Sequence, residues 1–431
     1  MASNPSGFPA LHPSAPHVPG HPLAIPAFRA FWIARICAML AQSNLVVVLG
    51  WAAYDVARTS LDVKAASLRI GLIGLSQFLP VLLINPFAGL VADRHDRRLV
   101  VRLALLVQIA AVGVLVVLQA LGRADLPVFY LVAAGFAAGR GFYAPAMNAL
   151  APALVPAESM PRAIAVSAIA GRIGGIVGPV LGGFAYGVAP DFAYGLTLAL
   201  LCAALLAQLA IGPHGANRPV ADGKPLVHIL EGLRYVAHNR MLLGAISLDL
   251  FAVLLGGATA MLPVYARDIL HVGPAGLGLL RSASSVGAVS TALWLSWRPV
   301  ENGVGPRMLA AVALFGVASA VFGISRWLPL SLAMLALAGA ADMISVYVRQ
   351  TLVQVVTPDA MRGRVGATSA LFITASNELG EMESGVMGAI LGPVGSVVFG
   401  GVSAVAIAFA WGRLFPELRH VQRFDEVVAQ A

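Results

Sequence analysis

The sequence predicts an all-α membrane protein with twelve transmembrane helices in two sets of six. Hydrophobic residues make up 59% of the 431-residue chain and charged residues only 11%. A soluble domain does not need so much apolar surface. Twelve apolar segments follow one another, each near the length of about 20 residues with which a helix crosses a bilayer. A short repeat relates the two halves, because Val155–Arg162 is similar to Thr357–Arg364, 202 residues further on. Such a repeat is expected for two bundles related by an axis along the membrane normal.

The chain begins with a proline-rich arm, residues 1–27, that contains seven prolines and three histidines. Such a segment cannot bury a core, so we expect it to be disordered. The prolines also prevent a compact helical site for the histidines, and no metal site is predicted.

The first six apolar segments belong to a predicted N-terminal bundle, residues 28–211. They are 29–53, 70–92, 99–121, 127–149, 164–187 and 192–211. The last six belong to a predicted C-terminal bundle, residues 241–415. They are 241–266, 275–296, 307–325, 329–353, 364–391 and 396–414.

Residues 212–240 form a predicted cytoplasmic linker between the bundles, and residues 416–431 form a short cytoplasmic tail. Apolar residues recur at helical spacing in the linker, at Leu226, Ile229, Leu230, Leu233 and Val236. This spacing predicts an amphipathic helix on the membrane surface that tethers the two bundles.

The distribution of basic residues predicts the orientation. A net charge of +8 would suggest nucleic-acid binding in a soluble protein, but here the basic residues lie in short loops, so no nucleic-acid partner is expected. With both termini inside, sixteen arginines and lysines lie on the cytoplasmic side and six on the other. The positive-inside rule therefore predicts a multi-pass inner-membrane protein with both termini in the cytoplasm.

A dense charge cluster joins the second and third segments: Gly89-Leu-Val-Ala-Asp93-Arg94-His95-Asp96-Arg97-Arg98. The pattern resembles the loop between helices 2 and 3 of the major facilitator superfamily, whose members are secondary transporters. We expect Gly89 to permit the close approach of two helices and Asp93 to accept from the N-terminal amides of a neighbouring helix. We expect the arginines to pair with acids across the interface. By analogy with the family, this hairpin stabilises one access state.

The resemblance covers roughly residues 28–415 and implies two pseudo-symmetric six-helix bundles around a central cavity. It also implies that spans 3, 6, 9 and 12 face lipid, and those spans contain no charge away from their ends. Charges inside the bilayer are costly and mark functional positions. The basic candidates for substrate binding are Arg35, Arg140, Arg172, Arg281 and Arg349. The acidic candidates for proton coupling are Asp249, Asp342, Glu378 and Glu381.

The repeat places Arg140 of span 4 over Asp342 of span 10, so we expect an ion pair between the bundles that forms in one conformation and separates in the other. Asp342 and Arg349 are seven residues apart and share a helical face. They are either a static structural pair or contacts for the substrate.

Glu378 and Glu381 of span 11 are three residues apart on one helical face. In a weakly polar site, desolvation and like charge oppose the ionisation of both, so one is a candidate proton carrier. Pairing with Arg281 or Arg349 would instead make them structural. Asp249 of span 7 is either a further proton-coupling residue or a protonated structural acid.

Span 5 carries a glycine-rich pattern, Gly174-Gly175-Ile-Val-Gly178-Pro179-Val-Leu-Gly182-Gly183. It resembles the span-5 signature of the superfamily's antiporters, a class of exporters. Close helix packing explains the same residues, because Gly174, Gly178 and Gly182 form a small-residue stripe and Pro179 bends the helix. Both interpretations can hold together.

Two further groups of residues resemble the branch of the superfamily that includes enterobactin-type siderophore exporters and drug–proton antiporters. They are Leu248-Asp249-Leu-Phe251 in span 7 and Asn377-Glu378-Leu-Gly380-Glu381 in span 11. The resemblance implies proton-coupled antiport that exports a small, siderophore-like or drug-like molecule, for which the basic residues would suit an anion. A proton-coupled uptake permease is the alternative within the same class. A non-transporting membrane sensor or interaction protein is the alternative of another class.

Enzymatic activity finds no support. The chain has only two lysines, Lys64 and Lys224, and no Gly-x-x-x-x-Gly-Lys phosphate loop. The His-Glu-x-x-His and Gly-x-Ser-x-Gly patterns are also absent from the sequence. We therefore expect a monomeric transporter whose partners are a small-molecule substrate, protons and the lipid bilayer. We expect no cofactor, and we expect a proton gradient to supply the energy for transport.

Overall fold

The structure, a computed structural model, describes residues 21–212 and 225–428. Most of the predicted N-terminal arm and residues 213–224 of the linker lie outside the described residues. The arm ends earlier than predicted, because Pro22 is buried and the first helix begins at Pro26. Proline suits the first turn of a helix, where its missing N–H costs no hydrogen bond and its φ is already helical.

Six long helices form the N-terminal bundle. They are α1 (Pro26–Ala57), α2 (Val63–Arg94), α3 (Arg97–Ala120), α4 (Leu126–Leu150), α5 (Met160–Val188) and α6 (Pro190–Leu209). Asp62, Asp96 and Asp125 each accept a backbone hydrogen bond at the start of α2, α3 and α4. Such N-caps let a helix begin in polar sequence. For this reason α2 begins at Val63, earlier than the apolar segment that starts at residue 70.

The linker contains the predicted helix, α7 (Pro225–His238), which packs on the C-terminal bundle. Glu231 of α7 pairs with Arg364 at 3.0 Å, and Gly232 lies against the backbone of Arg364. Val227, Leu230 and Leu233 of α7 are exposed.

Six further segments form the C-terminal bundle. They are α8 (Arg240–Gly256), α9 (Gly273–Trp297), α10 (Val304–Ile324), α11 (Leu328–Val356), α12 (359–391) and α13 (393–414). The helices α12 and α13 meet at Gly392, whose φ of 79° favours glycine. Beyond α8, the chain continues through short turns into a π-helix, Tyr265–Ile269. Two short helices, α14 (Pro416–His420) and α15 (Phe424–Val428), follow α13.

Twelve of these segments are long enough to span a membrane. Ten helical stretches meet both length and apolarity, and one of them, Asp359–Leu414, contains α12 and α13. The twelfth segment is α9, which has 25 residues but carries Arg281 and several serines. The predicted fold class, an all-α membrane protein with twelve transmembrane helices, is therefore confirmed.

Each bundle has its own hydrophobic core, and a third core joins the two bundles at one end of the molecule. We call this the far end. It contains Trp51 and Tyr54 of α1 and Tyr265 and Phe322 of the C-terminal bundle. The opposite end carries the α2–α3 turn and α7, and we call it the linker end.

Glycines bring the two bundles into backbone contact in the half of the molecule near the far end. A Cβ added at Gly71 of α2 would lie 2.8 Å from Cα of Gly385 in α12. A Cβ at Gly74 would lie 2.8 Å from the carbonyl oxygen of Glu378. We call this contact the α2–α12 seam. A second seam joins α5 and α9, because a Cβ at Gly278 would lie 2.5 Å from the carbonyl oxygen of Pro179.

The span-5 glycine pattern divides between two contacts. Gly174, Gly178 and Gly182 lie against α1, and a Cβ at Gly178 would be 2.6 Å from Cβ of Ser43. Gly183, like the carbonyl of Pro179, belongs to the α5–α9 seam between the bundles. One face of α5 therefore packs against α1 of its own bundle, and an adjacent face packs against α9 of the other bundle.

We expect Gly385→Val to open the far end, because the added methyl groups cannot fit against Gly71 at this distance. The measurement is labelling of a cysteine that replaces Leu49, a buried residue that lines a small pocket between the two bundles, by a membrane-impermeant maleimide added at the far side. The background variant lacks Cys37 and Cys202. Gly113→Val is the matched control, since Gly113 of α3 has open space at its Cβ position. Equal labelling in both folded variants would contradict the role of the seam.

Candidate functional site

A cavity of about 800 Å³ lies between the bundles and extends toward the linker end. Its walls come from α1, α2, α4, α9 and α12, together with Ile229 of α7. The polar side chains that line it are Gln42, Asn85, Arg140, Asn148, Thr259, Arg281, Thr374, Asn377, Glu378 and Glu381. A cavity of this size, with apolar walls and a few convergent polar groups, suits a small organic molecule.

An ion pair crosses the cavity from one bundle to the other. The guanidinium of Arg140 on α4 donates to the carboxylate of Glu378 on α12. The Glu378 side chain is only 9% exposed and that of Arg140 is 30% exposed. Because α4 and α12 belong to different bundles, this pair is sensitive to their relative position.

Arg140 does not pair with Asp342 in this conformation, and the expected pair between them in another conformation stays a prediction. The repeat correctly places the two residues on equivalent helices, but a pair also requires that the side chains face each other. Asp342 instead interacts electrostatically with Asp249 and Arg349, inside the C-terminal bundle. Glu378 reaches Arg140 because the α2–α12 seam holds α12 against the N-terminal bundle.

The second glutamate of α12 pairs within its own bundle. Glu381 lies 3.6 Å from the guanidinium of Arg281 on α9, and both residues line the cavity. Cβ of Glu381 would also lie 2.7 Å from a Cβ at Gly74, so this residue stands where the seam ends and the cavity begins. Glu378 and Glu381 are thus neighbours on α12, but Glu378 pairs with an arginine of the N-terminal bundle and Glu381 with an arginine of the C-terminal bundle.

Asp249 and Arg349 form a buried ion pair away from the cavity. Their charged atoms are 3.1 Å apart, and the side chains are 7% and 3% exposed. Neither residue lines the cavity. The pair joins α8 to α11 within one bundle, so Arg349 pairs with Asp249 rather than contacting a ligand in this conformation.

Two of the candidate arginines have no ion pair within the part of the chain that the structure describes. Arg35 of α1 donates from Nη1 to Oδ1 of Asn148 on α4, at 3.0 Å. Asn148 lines the cavity, so Arg35 lies directly behind its wall. Arg172 of α5 is exposed and does not line the cavity.

The α2–α3 hairpin differs from its expected arrangement. Gly89 has no atom within 4 Å of its Cβ position and lines the cavity, so it does not serve the close approach of two helices. Arg97 donates to the carbonyl of Ala149 at 3.0 Å, and Arg94 is exposed. The predicted pairing of the hairpin arginines with acids across the bundle interface is therefore not found among the described residues.

An acid of this hairpin does cap a helix. Asp96 accepts from the backbone N–H of Arg98 at 2.9 Å and from its guanidinium at 2.6 Å. The hydrogen bond from the Arg98 side chain holds the pKa of Asp96 below its usual value. The side chain of Asp93 lies outside the described part of the structure, and its expected contact with helix N-terminal amides stays a prediction.

Four charged residues form two ion pairs at the far end, and none of the four is among the candidate site residues predicted from the sequence. Arg58 at the end of α1 pairs with Asp268 of the π-helix at 3.1 Å, and Asp55 pairs with Arg267. We call these four residues the far-end quartet. The hydroxyl of Tyr54 also donates to Asp268. Opposite charges at adjacent helix ends, Asp55-x-x-Arg58 and Arg267-Asp268, were the available sequence signal.

The protein has two six-helix bundles with a charged cavity between them. The cavity is sealed at one end and crossed by an ion pair. This architecture is that of a transporter of the major facilitator type. The chain matches the family described as transmembrane secretion effector over residues 18–426. It therefore belongs to this family of the major facilitator superfamily. Family membership makes it a multi-pass membrane transporter of a small molecule, and not an enzyme.

Curated relatives include two enterobactin exporters named EntS. The protein of Citrobacter koseri is 29% identical over 406 residues, which cover 92% of this chain and 94% of the relative. That of Escherichia coli K12 is 27% identical with the same coverage.

Solved structures of the superfamily share the fold at low sequence identity. The nucleoside transporter NupG aligns with a TM-score of 0.73 at 14% identity, covering 90% of this chain and 100% of that chain. The inward-open xylose transporter XylE of Escherichia coli aligns with a TM-score of 0.68 at 14% identity, covering 94% and 99%.

We expect Arg349→Met to destabilise the protein by about 3–5 kcal/mol, because it leaves the carboxylate of Asp249 buried without its counter-charge. The measurement is thermal unfolding in detergent. The double variant Asp249→Leu with Arg349→Met should recover most of the loss, since it removes both charges. A double variant as unstable as the single one would show that the pair is not the cause.

We expect Arg267→Asp to open the far end, because the new carboxylate repels Asp55 and Asp268. Labelling of a cysteine at position 49 from the far side should increase. Adding Asp55→Arg restores an opposite-charge pair with reversed polarity and should return the labelling to its original level. Failure of this charge exchange to restore closure would exclude a specific pairing of the two residues.

Proposed function

We propose that this protein is a proton-coupled antiporter that exports a small molecule across the inner membrane by alternating access. The observation that carries the proposal is the pair between Arg140 and Glu378 across the cavity. It is the described ion pair that joins the bundles inside the cavity, and protonation of its carboxylate removes its charge.

The coupling follows from what releases this pair. While Glu378 is ionised and bonded to Arg140, it ties the bundles in the state described here. Protonation of Glu378 neutralises the carboxylate and weakens the tie. A substrate that enters the cavity and separates the two side chains weakens the same tie. Because either event alone permits reorientation, a proton and a substrate can cross in opposite directions.

The proposed direction depends on the orientation and on the relatives. The basic residues of the loops favour a cytoplasmic linker end, so the cavity extends toward the cytoplasm in this state. The enterobactin exporters named above support export, and by analogy we propose a siderophore-like substrate. One chain supplies both bundles and the whole cavity, which supports a monomer as the working unit.

The test uses inside-out vesicles with an acidic interior and enterobactin as the probe. We expect the wild-type protein to accumulate enterobactin in response to the pH gradient. Glu378→Gln should reduce this accumulation to that of vesicles without the protein, because the amide cannot bind and release the proton. Exchange of labelled enterobactin across the membrane without a gradient should persist, since the cavity remains.

Glu158→Gln is the matched control, because Glu158 is an exposed glutamate outside the cavity. Undiminished gradient-driven accumulation in Glu378→Gln would remove this residue from the coupling. Loss of preloaded enterobactin from wild-type vesicles in response to the same gradient would instead identify an uptake permease.

A further inference from the structure

Arg35 differs in its partner from three other candidate arginines, of which two line the cavity and one is buried in the C-terminal bundle. Arg140, Arg281 and Arg349 each face a carboxylate at ion-pair distance. The guanidinium of Arg35 has only a neutral partner, Oδ1 of Asn148, among the described residues. The wall formed by α1 and α4 therefore carries a positive charge that no described acid balances.

Hydrogen-bond donors without an acceptor occur on the same two helices as this charge. Among the described residues, Nε of Arg35, Nε2 of Gln42 and the hydroxyl of Tyr143 are buried and have no hydrogen-bond partner. The Tyr143 side chain is only 2% exposed and lies within electrostatic range of Arg35. A buried donor that lacks an acceptor costs free energy, so each of these three atoms requires an acceptor that the described residues do not supply.

Two of the four side chains reach the cavity, and Arg35 and Tyr143 lie outside its lining. Gln42 and Asn148 line it directly. Arg35 and Gln42 are seven residues apart, so both lie on the same face of α1. Oδ1 of Asn148 already accepts from Arg35, which leaves the amide hydrogens of Asn148 as further donors at the cavity wall.

We propose that Arg35, Gln42, Tyr143 and Asn148 form a subsite that binds the acidic group, a carboxylate or phenolate, of an anionic substrate. All four side chains offer N–H or O–H groups, and one negative charge in their midst balances the guanidinium. A carboxylate or phenolate oxygen accepts several such bonds at once. The inference deepens the proposed function and rests on it only for the statement that the bound molecule is transported.

The experiment compares two probes of nearly equal shape, salicylate and its neutral amide salicylamide, on the purified full-length protein in detergent. We expect the wild-type protein to bind salicylate more tightly. Arg35→Gln should lower the affinity for salicylate by about tenfold or more, because it removes a charged hydrogen-bond partner. The affinity for salicylamide should stay unchanged. Arg29→Gln is the matched control, because Arg29 is an exposed arginine on the same helix.

Tyr143→Phe separates binding from folding. It removes a buried hydroxyl that has no partner, so thermal unfolding should occur at the same or a higher temperature. The salicylate affinity should nevertheless fall. Equal binding of the two probes by the wild-type protein, or an unchanged preference for salicylate in Arg35→Gln, would overturn the subsite.

The two proposals fail separately. Binding is measured without a gradient, so a protein that prefers salicylate but shows no gradient-driven transport would contradict only the proton coupling. A protein with gradient-driven transport but no preference for the anion would contradict only the subsite.

Discussion

The backbone contact between α2 and α12 is the constraint on which the site depends. At Gly71, Gly74 and Gly385 the absence of a glycine side chain lets the backbones of the two helices come into direct contact. Glu378 and Glu381 precede Gly385 on α12 by less than two turns. The seam thus carries both carboxylates to the wall of the other bundle, where Glu378 meets Arg140.

The cost of charge in a membrane explains how the remaining ionisable groups are arranged. Asp249 and Arg349 balance each other within one bundle, and rigid-body movement of the bundles leaves that pair intact. Arg140 and Glu378 balance each other across the boundary, so the same movement separates them. A charge pair within one bundle therefore has a structural role, and a charge pair across the boundary between the bundles has a conformational role.

The fold class was predictable because composition, segment length and the placement of charges are properties of the linear sequence. The partners within the site were not, because they depend on how each helix is rotated and on which bundle it touches. The repeat gave Arg140 and Asp342 equivalent positions, but only the packing of α12 selected Glu378. Gly71 and Gly74 escaped notice since isolated glycines in an apolar segment resemble many others. The far-end quartet was not predicted, because Arg58 and Arg267 contributed only to the orientation and no sequence pattern paired them with Asp55 and Asp268.

Different interactions join the two bundles at the far end and inside the cavity. The far-end quartet is substantially exposed, with side chains 22–48% accessible, so water and salt weaken each of its ion pairs. Closure there must depend mainly on the glycine seams and the shared apolar core, and the ion pairs fix how the helix ends meet. In the proposed antiport mechanism the proton acts inside the cavity, on Glu378, whose side chain is 9% exposed and bonded across the boundary between the bundles.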